Sequence, residues 1–420
     1  MKYASYILIF ILAGVAGFLV FRNLRGSGDL TNDFDLRSKV SNQQPVTSNQ
    51  GNDTLGLVDD INTSGDSPSD SADPGSRDAR PDVEYTKIGD EIMITDGVKH
   101  LVPLDKILGG GPPKDGIPSI DDPKFISVAE ASKFLDDNKL GIAVESAPSS
   151  DGVRSWRFYP FQILVWHEIV NDNFKGEPLL VTYCPLCQTG IVFTPIVEGE
   201  AVEFGTSGRL YNSNLVMYDR KTDTLWSQQG GRAIVGKLTG AKLKIRAADN
   251  VFWGEFKDAH PNAQVLSRDT GQARDYTRDP YGDYYTTAGT YFPVVNTDDR
   301  LFDKAITYGL DINGQTKAYS EESIKRDKVI NDELAGVNLL VVVEPETQAV
   351  RFFNRSINKQ VLNFELNGSS LLDKETGSEW NFDGEGLSGA MSGQKLERIN
   401  PEFGFWFAWV AFHPETLLYN

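Results

Sequence analysis

The chain has 420 residues, 40% of them hydrophobic, with a formal net charge of −18 and a pI near 4.7. This length accommodates two domains of ordinary size, and the apolar content is sufficient for folded cores. The acidic balance argues against nucleic acid and against an anionic membrane surface as partners, because both repel acidic protein faces. The composition is typical of an acidic, soluble domain outside the cytoplasm.

The N-terminus contains an apolar run without a charged residue, at residues 3–21, between Lys2 and the basic pair Arg22 and Arg25. The run is just long enough to span a bilayer, and no clear small-residue cleavage site precedes the basic pair. A cleaved signal peptide is the competing interpretation. We expect residues 1–25 to be an uncleaved, single-pass signal anchor that holds the folded domains on the extracytoplasmic side, periplasmic or extracellular. Basic residues on both sides leave the orientation open on charge alone.

Residues 26–84 are rich in Ser, Asp, Asn, Gly and Thr and contain few large apolar side chains. Such a segment cannot bury enough apolar surface to offset the entropy lost on ordering. The sequence therefore predicts a disordered, acidic and Ser-rich linker between the membrane anchor and the folded domains.

From Tyr85 onward, short apolar runs alternate with turn signals, which is typical of a mainly-β protein. The predicted strands are Ile142–Glu145, Ser155–Tyr159, Leu179–Tyr183, Ile191–Thr194, Ala201–Phe204, Leu215–Tyr218, Leu339–Val343, Val350–Phe353 and Val361–Leu366. The sequence D-I-N-G at Asp311–Gly314 predicts the turn of a β-hairpin. The predicted helices are Val128–Leu135, Phe161–Val170, Phe252–Ala259 and Phe405–Phe412.

The folded part contains one pattern twice. The sequence F-Y-P-F-Q-I-L-V-W-H-E-I-V-N-D, which ends at Asp172, matches A-Y-S-E-E-S-I-K-R-D-K-V-I-N-D, which ends at Asp332. The spacing between matched residues changes along the chain: it is 160 for Asn171/Asn331 and Phe204/Phe364, 154 for Asp219/Asp373 and Trp226/Trp380, and 153 for His260/His413. A repeat of this kind indicates two units of the same fold.

We therefore predict an α+β fold, mainly β, with two tandem divergent copies of one β-rich domain behind an N-terminal transmembrane helix. The first repeat would span residues 85–263, a Tyr-rich connector residues 264–300 and the second repeat residues 301–420. The connector tyrosines would either attach it to the domains or stack on sugars.

The repeat serves as an internal control, because residues shared by both copies favour a role in the fold. Reactive residues of the first copy face unreactive ones in the second: His167, Glu168, Cys184, Cys187 and Ser207 match Asp327, Lys328, Glu344, Thr347 and Asn367. Residues that carry chemistry in only one copy are the better functional candidates.

The sequence C-P-L-C at Cys184–Cys187 contains the only two cysteines of the chain. Such a pair can form a small-ring disulfide, cycle between dithiol and disulfide, or bind a soft metal. A disulfide that closes so short a loop adds little stability, which favours redox or metal chemistry. With His167 as a third ligand and one open position, the set would suit a zinc or copper ion. Glu168 would orient the imidazole or transfer a proton.

Four further residues are candidates for lining this site as cofactor- or substrate-binding groups: Ser207, Tyr218, Arg220 and Gln228. Ser207 does not fit a nucleophile elbow, because Arg209 stands where glycine is required. The Gly-Pro-rich stretch Gly109–Pro118 matches no nucleotide-binding motif and predicts a rigid loop.

Several long motifs resemble, in order, those of the domain of unknown function 3179 family: G-G-P-P-K-D-G-I-P, W-H-E-I-V-N-D, Y-C-P-L-C, F-G-T-S-G-R-L-Y-N-S-N-L-V-M-Y-D-R and L-W-S-Q. The resemblance runs from about Leu101 to the C-terminus and identifies a membrane-anchored member, since such proteins often have an N-terminal apolar segment. It implies that the Cys, His and Glu residues above are family motif residues. One departure is Thr224, where the family pattern has Ser. The family has no established activity, so the resemblance implies none.

The leading hypothesis is a membrane-tethered extracytoplasmic protein whose Cys184, Cys187 and His167 bind a metal or perform thiol–disulfide chemistry. The alternative is a non-catalytic module that binds a glycan or a protein and contains a structural disulfide. A hydrolase that uses Ser207 ranks third.

Overall fold

The computed structural model describes residues 83–85, 91–149, 153–346 and 348–420. The predicted anchor, and all of the predicted linker except two residues, lie outside these ranges. Among the residues described, no helix has both the length and the apolar character needed to cross a bilayer. Strands dominate and the helices are short, so the predicted class, α+β and mainly β, is confirmed.

Three sheets carry the first half of the folded chain. One has the strand order Asp249–Phe252, Leu140–Glu145, Trp156–Pro160, Gln264–Leu266, Phe125–Ser127. The next has the order Val83–Tyr85, Ala241–Arg246, Thr189–Thr194, Glu177–Cys184, Ile169–Phe174. The largest has the order Met93–Thr95, Val98–His100, Ala233–Val235, Leu225–Ser227, Asn214–Asp219, Phe204–Tyr211, Leu108–Gly109. A small ribbon pairs Ile196–Val197 with Glu200–Ala201.

Three smaller sheets carry the second half. The first has the strand order Glu402–Phe405, Ile306–Ile312, Gln315–Ser320, Leu417–Tyr419. The second has the order Val329–Leu334, Val337–Val343, Val350–Asn354, Glu397–Ile399. The third has the order Phe364–Asn367, Ser370–Asp373, Glu379–Trp380. A ribbon pairs Ser356–Ile357 with Gln360–Val361. The strands of these sheets follow the order and directions of their counterparts in the first half, whose sheets have additional strands at their edges. For example, Leu417–Tyr419 runs parallel to its neighbour, as does Gln264–Leu266.

The described α-helices are short: Val128–Ala131, Phe161–Leu164, Trp253–Ala259, Glu321–Asp327 and Trp406–Phe412. The described 3₁₀ turns are Leu104–Lys106, Gln229–Gly231, Tyr284–Thr286 and Gly389–Met391. The predicted helix over Phe161–Val170 is therefore wrong beyond Leu164. Glu168 has a φ of 58°, in the left-handed region that ends a helix, and the strand Ile169–Phe174 follows at once. Apolar periodicity alone does not separate a short buried helix from a buried strand.

Most predicted strands are confirmed within two residues of their ends, as is the hairpin turn at Asp311–Gly314. The predicted strand Ala201–Phe204 is wrong, because the chain breaks between a ribbon strand and a longer strand that starts at Phe204. The predicted strand Val361–Leu366 is wrong for the same reason, with a break before Phe364. The predicted helix over Val128–Leu135 ends at Ala131.

The two halves have the same internal hydrogen bonds. The Asn171 side chain donates to the Phe204 carbonyl and accepts from its backbone N–H, both at 2.9 Å. Asn331 makes the same two bonds with Phe364, both at 2.8 Å. An amide that satisfies both backbone groups of another strand fixes the position of that strand. These residues therefore serve the fold in each half.

A second shared contact buries a carboxylate beneath a tryptophan. The Trp226 indole N–H donates to Asp219 at 2.9 Å, and the Trp380 indole donates to Asp373 at 2.8 Å. All four side chains are fully buried. One continuous apolar core also joins the halves, with Val181 from the first and Val341 from the second. The halves consequently form one compact unit within Pro74–Asn420.

We predict that Asp219→Ala and Asp373→Ala each lower the free energy of unfolding by about 3 kcal/mol, because each leaves a buried indole N–H without its charged acceptor. Urea unfolding measures this quantity. The exposed Asp258 gives the matched control, with Asp258→Ala expected within about 0.5 kcal/mol of the parent. Equal small effects at all three positions would contradict the shared role.

Candidate functional site

The two cysteines lie at the turn of a β-hairpin in the first half. Cys184 ends the strand Glu177–Cys184, and the next strand begins at Thr189. The Cys187 N–H donates to the Cys184 carbonyl at 3.2 Å, which closes the turn. Both cysteines are free thiols, with 1% and 0% of their surface exposed. The sequence motif thus becomes a buried dithiol at a fixed separation along a tight turn.

A second hairpin brings a polar tip against the sulfurs. Asn212 and Ser213 have φ values of 53° and 60°, the pattern of a type I′ turn between paired strands. The Ser213 carbonyl accepts from the Cys187 thiol at 3.3 Å and from the Cys184 thiol at 3.9 Å. The Asn214 amide donates to the Cys187 sulfur at 3.6 Å. Both sulfurs therefore face one backbone carbonyl in an apolar interior.

Gln228 supports this arrangement from the next strand. Its carbonyl oxygen accepts from the Asn214 amide at 2.8 Å and from the Thr189 hydroxyl at 2.7 Å. Its amide donates to the Thr182 hydroxyl at 3.1 Å. Because every polar atom of the Gln228 side chain is used, it fixes the Asn214 amide in place. Gln228 is thus a positioning residue at the cysteine pair.

The surroundings shift the pKa values of the two thiols in opposite directions. Burial by itself would raise the pKa of Cys184, but hydrogen bonds from the Cys187 thiol and from the backbone at Leu215 and Leu186 bring that pKa below its ordinary value. Burial and the adjacent Cys184 charge raise the pKa of Cys187. Cys184 is therefore the more acidic of the two thiols.

Glu168 lies beside the dithiol as a buried carboxyl group. Only 7% of its surface is exposed. Burial, and then the charge of Cys184, raises the pKa of Glu168 well above its usual range. Its counterpart Lys328 has the same left-handed φ of 63° but is exposed. The turn is common to both halves, whereas the buried acid belongs to the first alone.

The connector and the second half cover the dithiol. The Tyr284 hydroxyl donates to the Leu186 carbonyl at 2.9 Å, and Lys304 lies 3.6 Å above the Tyr284 ring. The Phe405 N–H donates to the Cys187 carbonyl at 2.9 Å. At Gly404 a Cβ would lie 2.4 Å from the Thr189 side chain, so only glycine allows this approach. The site is therefore built from three segments distant in sequence.

Both ring nitrogens of His167 make hydrogen bonds. Its Nδ1 lies 2.8 Å from the Pro118 carbonyl and its Nε2 lies 2.7 Å from the Tyr276 hydroxyl. A carbonyl only accepts, so Nδ1 carries the proton and Nε2 accepts from Tyr276. His167 also lies in the turn after the short helix, not on a helix. Within the described ranges, no three His, Cys, Asp or Glu side chains are arranged to hold a metal ion.

The other candidates lie in two different places. The Ser207 hydroxyl donates to the Val216 carbonyl within a strand bulge at Gly208, where φ is 71°. Tyr218 donates to Asp115 at 2.6 Å, and Arg220 pairs with Asp121 at 2.9 Å. Tyr218 and Arg220 therefore hold the loop before residue 122 against the sheet. No hydrogen bond between these three residues and the cysteines occurs in the described part of the chain.

Sequence reasoning missed the residues that complete the site: Ser213, Asn214, Tyr284 and Lys304. A signal for the first two is present, because Asn212-Ser213 separates two apolar runs and both residue types tolerate hairpin turns. Nothing in the local sequence indicates that Tyr284 or Lys304 meets the cysteine turn, since those contacts depend on tertiary packing.

The comparisons with known proteins identify the family. The model of a protein family described as "Protein of unknown function (DUF3179)" matches residues 114–416. The chain belongs to the DUF3179 family. No curated protein and no solved structure was found to match it. The matched range includes the cysteine turn, Glu168 and the hairpin tip of this DUF3179 protein, together with the covering residues of its second half.

We predict that His167→Gln lowers the free energy of unfolding by about 1–3 kcal/mol at pH 7, since buried partners at Pro118 and Tyr276 lose their bonds. Burial lowers the pKa of His167, opposed by the hydrogen bond to Pro118. The unfolded imidazole, with a pKa of about 6.5, therefore binds a proton before the folded one. The stability that His167 contributes is present above about pH 6.5 and is lost as the pH falls further.

The measurement is urea unfolding of parent and variant between about pH 5 and pH 8. The difference in the free energy of unfolding between parent and variant should become smaller as the pH falls below about 6.5. Tyr276→Phe is the control, because it removes one bond but keeps the titrating ring, so the acid slope should persist. A difference that is constant over this range would contradict a buried neutral His167.

Proposed function

We propose that this DUF3179 protein carries out thiol–disulfide exchange through Cys184 and Cys187, with a small disulfide-bearing molecule as the reaction partner. The observation that carries the proposal is the shared acceptor: two free thiols face one carbonyl at Ser213, beside the buried carboxyl of Glu168. A structural cysteine pair has no need of an adjacent buried acid, which costs stability unless it has a use.

The proposed reaction starts from the Cys184 thiolate. Its sulfur attacks one sulfur of the small disulfide, and a mixed disulfide forms as the first small thiolate leaves and takes a proton from Glu168. The Glu168 carboxylate then accepts the proton of Cys187, whose sulfur attacks Cys184 and expels the second small thiolate. The protein loses two electrons to the small disulfide, which is reduced to one thiol and one thiolate, and Glu168 ends protonated as it began.

The contacts of His167 favour thiol–disulfide exchange over metal binding as the function of the cysteine pair. Both ring nitrogens are engaged, by Pro118 and by Tyr276, and the required tautomer places a proton on Nδ1. A zinc or copper ion bound by Cys184, Cys187 and His167 would need one of these bonds to break. Metal binding consequently remains an outcome that the experiment below must separate from exchange.

The second half has a covering role in this proposal. We infer that it is a divergent copy of the first half, supported by the shared strand order and by the paired contacts of Asn171 and Asn331. Having lost the cysteines, it contributes Phe405 against the Cys187 turn. Since the thiols are buried, exchange requires Phe405 or Tyr284 to move aside, which restricts access to small partners.

We further propose that the protein is tethered to a membrane with its folded domains on the extracytoplasmic side. The apolar run at residues 3–21 and the acidic segment after it support this location. Thiols outside the cytoplasm meet oxidising conditions, in which a dithiol can cycle. An extracytoplasmic location and exchange chemistry therefore support each other.

The test uses full-length protein equilibrated in buffers of reduced and oxidised glutathione, then trapped and analysed by mass spectrometry. We predict a reversible disulfide between Cys184 and Cys187. Cys187→Ser should accumulate a mixed disulfide at Cys184, because the resolving thiol is absent. Glu168→Gln should form the mixed disulfide but resolve it about 100-fold more slowly. Glu255→Gln, a partly buried acid elsewhere, is the matched control and should react like the parent.

Elemental analysis of the same preparation, purified without chelator, accompanies the experiment. About one zinc or copper ion per chain that is lost in Cys184→Ser would replace exchange with metal binding. A dithiol that stays reduced in every buffer while folded, yet oxidises once denatured, would show that the pair is inert and would overturn the proposal.

A further inference from the structure

A cavity lies between the two halves, and its lining is remote in sequence from the cysteine turn. Its volume is about 480 Å³, within the range of small-molecule sites. The first half contributes Trp156 and His260, and the second contributes Glu344, Arg351 and Arg398. The cavity is thus closed by residues of both halves, as the cysteine site is.

Its charge differs from that of the whole protein. Five basic and five acidic side chains line the cavity, so its formal charge is zero in a chain of net charge −18. The acids already have partners inside it: Glu344 binds Arg351 at 2.9 Å, and Asp249 binds Arg398. Further pairs join Glu145 to Arg154 at 2.8 Å and Glu385 to Lys395 at 2.7 Å. Each of these four acids is therefore paired with a basic side chain of the cavity wall.

Two guanidinium groups keep an unused donor. The Nε atoms of Arg351 and Arg398 are buried and have no hydrogen-bond partner among the described residues. Arg351 as a whole is only 7% exposed. A buried N–H without an acceptor costs about 1–3 kcal/mol. Less than 1 Å² of each Nε atom is accessible, so a guanidinium group must rotate toward the cavity before its Nε can donate to a bound molecule. An oxygen acceptor would then remove that cost, and guanidinium groups suit carboxylates and phosphates.

An aromatic wall adjoins the arginines. The Trp156 ring stacks on the His260 ring, with centroids 4.2 Å apart and planes 23° from parallel. Trp156 is only partly buried, so one part of its ring is open to the cavity. A flat face beside two donors accommodates a molecule with an anionic group and a ring or apolar part.

The cavity lies beside the position of the second half that matches the position of the dithiol in the first half. Glu344 follows the strand Val337–Val343 at the place where Cys184 ends the strand Glu177–Cys184. In the first half that place is filled by Phe405 and Phe407 from the other half. In the second half, charged side chains and open volume occupy it. The loss of the cysteines thus coincides with a new cavity at the matching position.

We propose that this cavity is a binding site for a small organic anion, whose carboxylate or phosphate is bound by Arg351 and Arg398 and whose ring or apolar part lies on Trp156. The site is distinct from the cysteine pair and does not depend on exchange chemistry. It gives the second half a ligand-binding role in addition to its covering role.

Isothermal titration calorimetry of the full-length protein with benzoate and with phenyl phosphate tests the proposal, and the tighter probe identifies the anionic group. We expect saturable binding of one molecule per chain. Arg398→Lys keeps the charge opposite Asp249 but removes the Nε donor, so it should weaken binding at least about tenfold. Trp156→Ala should weaken the binding of phenyl phosphate more than the binding of inorganic phosphate. This variant tests the proposal if Arg398→Lys does not fold.

Two controls separate the outcomes. Arg326→Lys changes an exposed arginine that pairs with Asp327 on a helix outside the cavity and should bind like the parent. Cys184→Ser should also bind like the parent, which keeps this result independent of the exchange reaction. The proposal is overturned if neither aryl probe binds saturably up to about 10 mM. Equal weakening by Arg398→Lys and Arg326→Lys would also overturn it, since that pattern indicates only general charge.

Discussion

Two buried thiols that share one backbone carbonyl are the interaction on which the account of this protein depends. The Ser213 carbonyl accepts from both thiols, which favours their protonated forms. The Cys187 thiol and the backbone donors at Leu215 and Leu186 favour the thiolate of Cys184, whereas the Asn214 amide donates to Cys187. Together these groups make the two cysteines unequal. In the proposed exchange, that inequality would assign attack to Cys184 and resolution to Cys187, and the buried Glu168 would carry the proton. The rest of the fold holds these few atoms in place.

The comparison of the two halves shows how the site arises from a common framework. In the first half the hairpin that carries Ser213 has strands of eight and six residues, while in the second the strands have four residues each. The six additional residues extend the hairpin far enough to reach the cysteine turn. They also account for the drop in spacing from 160 to 154 between matched residues of the sequence. The site therefore depends on an extended hairpin as much as on the cysteines.

Residues from distant segments of the chain cover the site. Asn212 at the hairpin tip donates to the Ala411 carbonyl and accepts from the Val295 N–H, so one turn contacts both the second half and the connector. Lys304, only 5% exposed, donates to the Tyr284 and Thr287 carbonyls and fixes the connector over Leu186. Burial lowers the pKa of Lys304, which is the cost of placing an amine there. Such a cover excludes large partners and keeps water from the thiols.

Much of the fold follows from local sequence, and part of the site does. Alternating apolar runs identified most strands, and the cysteine motif identified Cys184 and Cys187 because its chemistry is contained in four adjacent residues. Glu168 was found through its absence from the second half. Local spacing does not reveal that Pro118 and Tyr276 make hydrogen bonds with the ring nitrogens of His167. Contacts between residues far apart in the sequence, such as Tyr284 with Leu186 of the cysteine turn, 98 residues away, leave no local pattern in the sequence.

The most direct test of the central claim is the ultraviolet absorbance of the thiolate, measured against pH on folded Cys187→Ser and Cys184→Ser proteins. Serine keeps a hydroxyl donor beside the remaining sulfur, so each variant reports one thiol in nearly its own surroundings. We predict that Cys184 ionises below the ordinary thiol pKa of about 8.5 and that Cys187 ionises above it. Equal ionisation of the two thiols, or the reverse order, would contradict the assignment of Cys184 as the nucleophile.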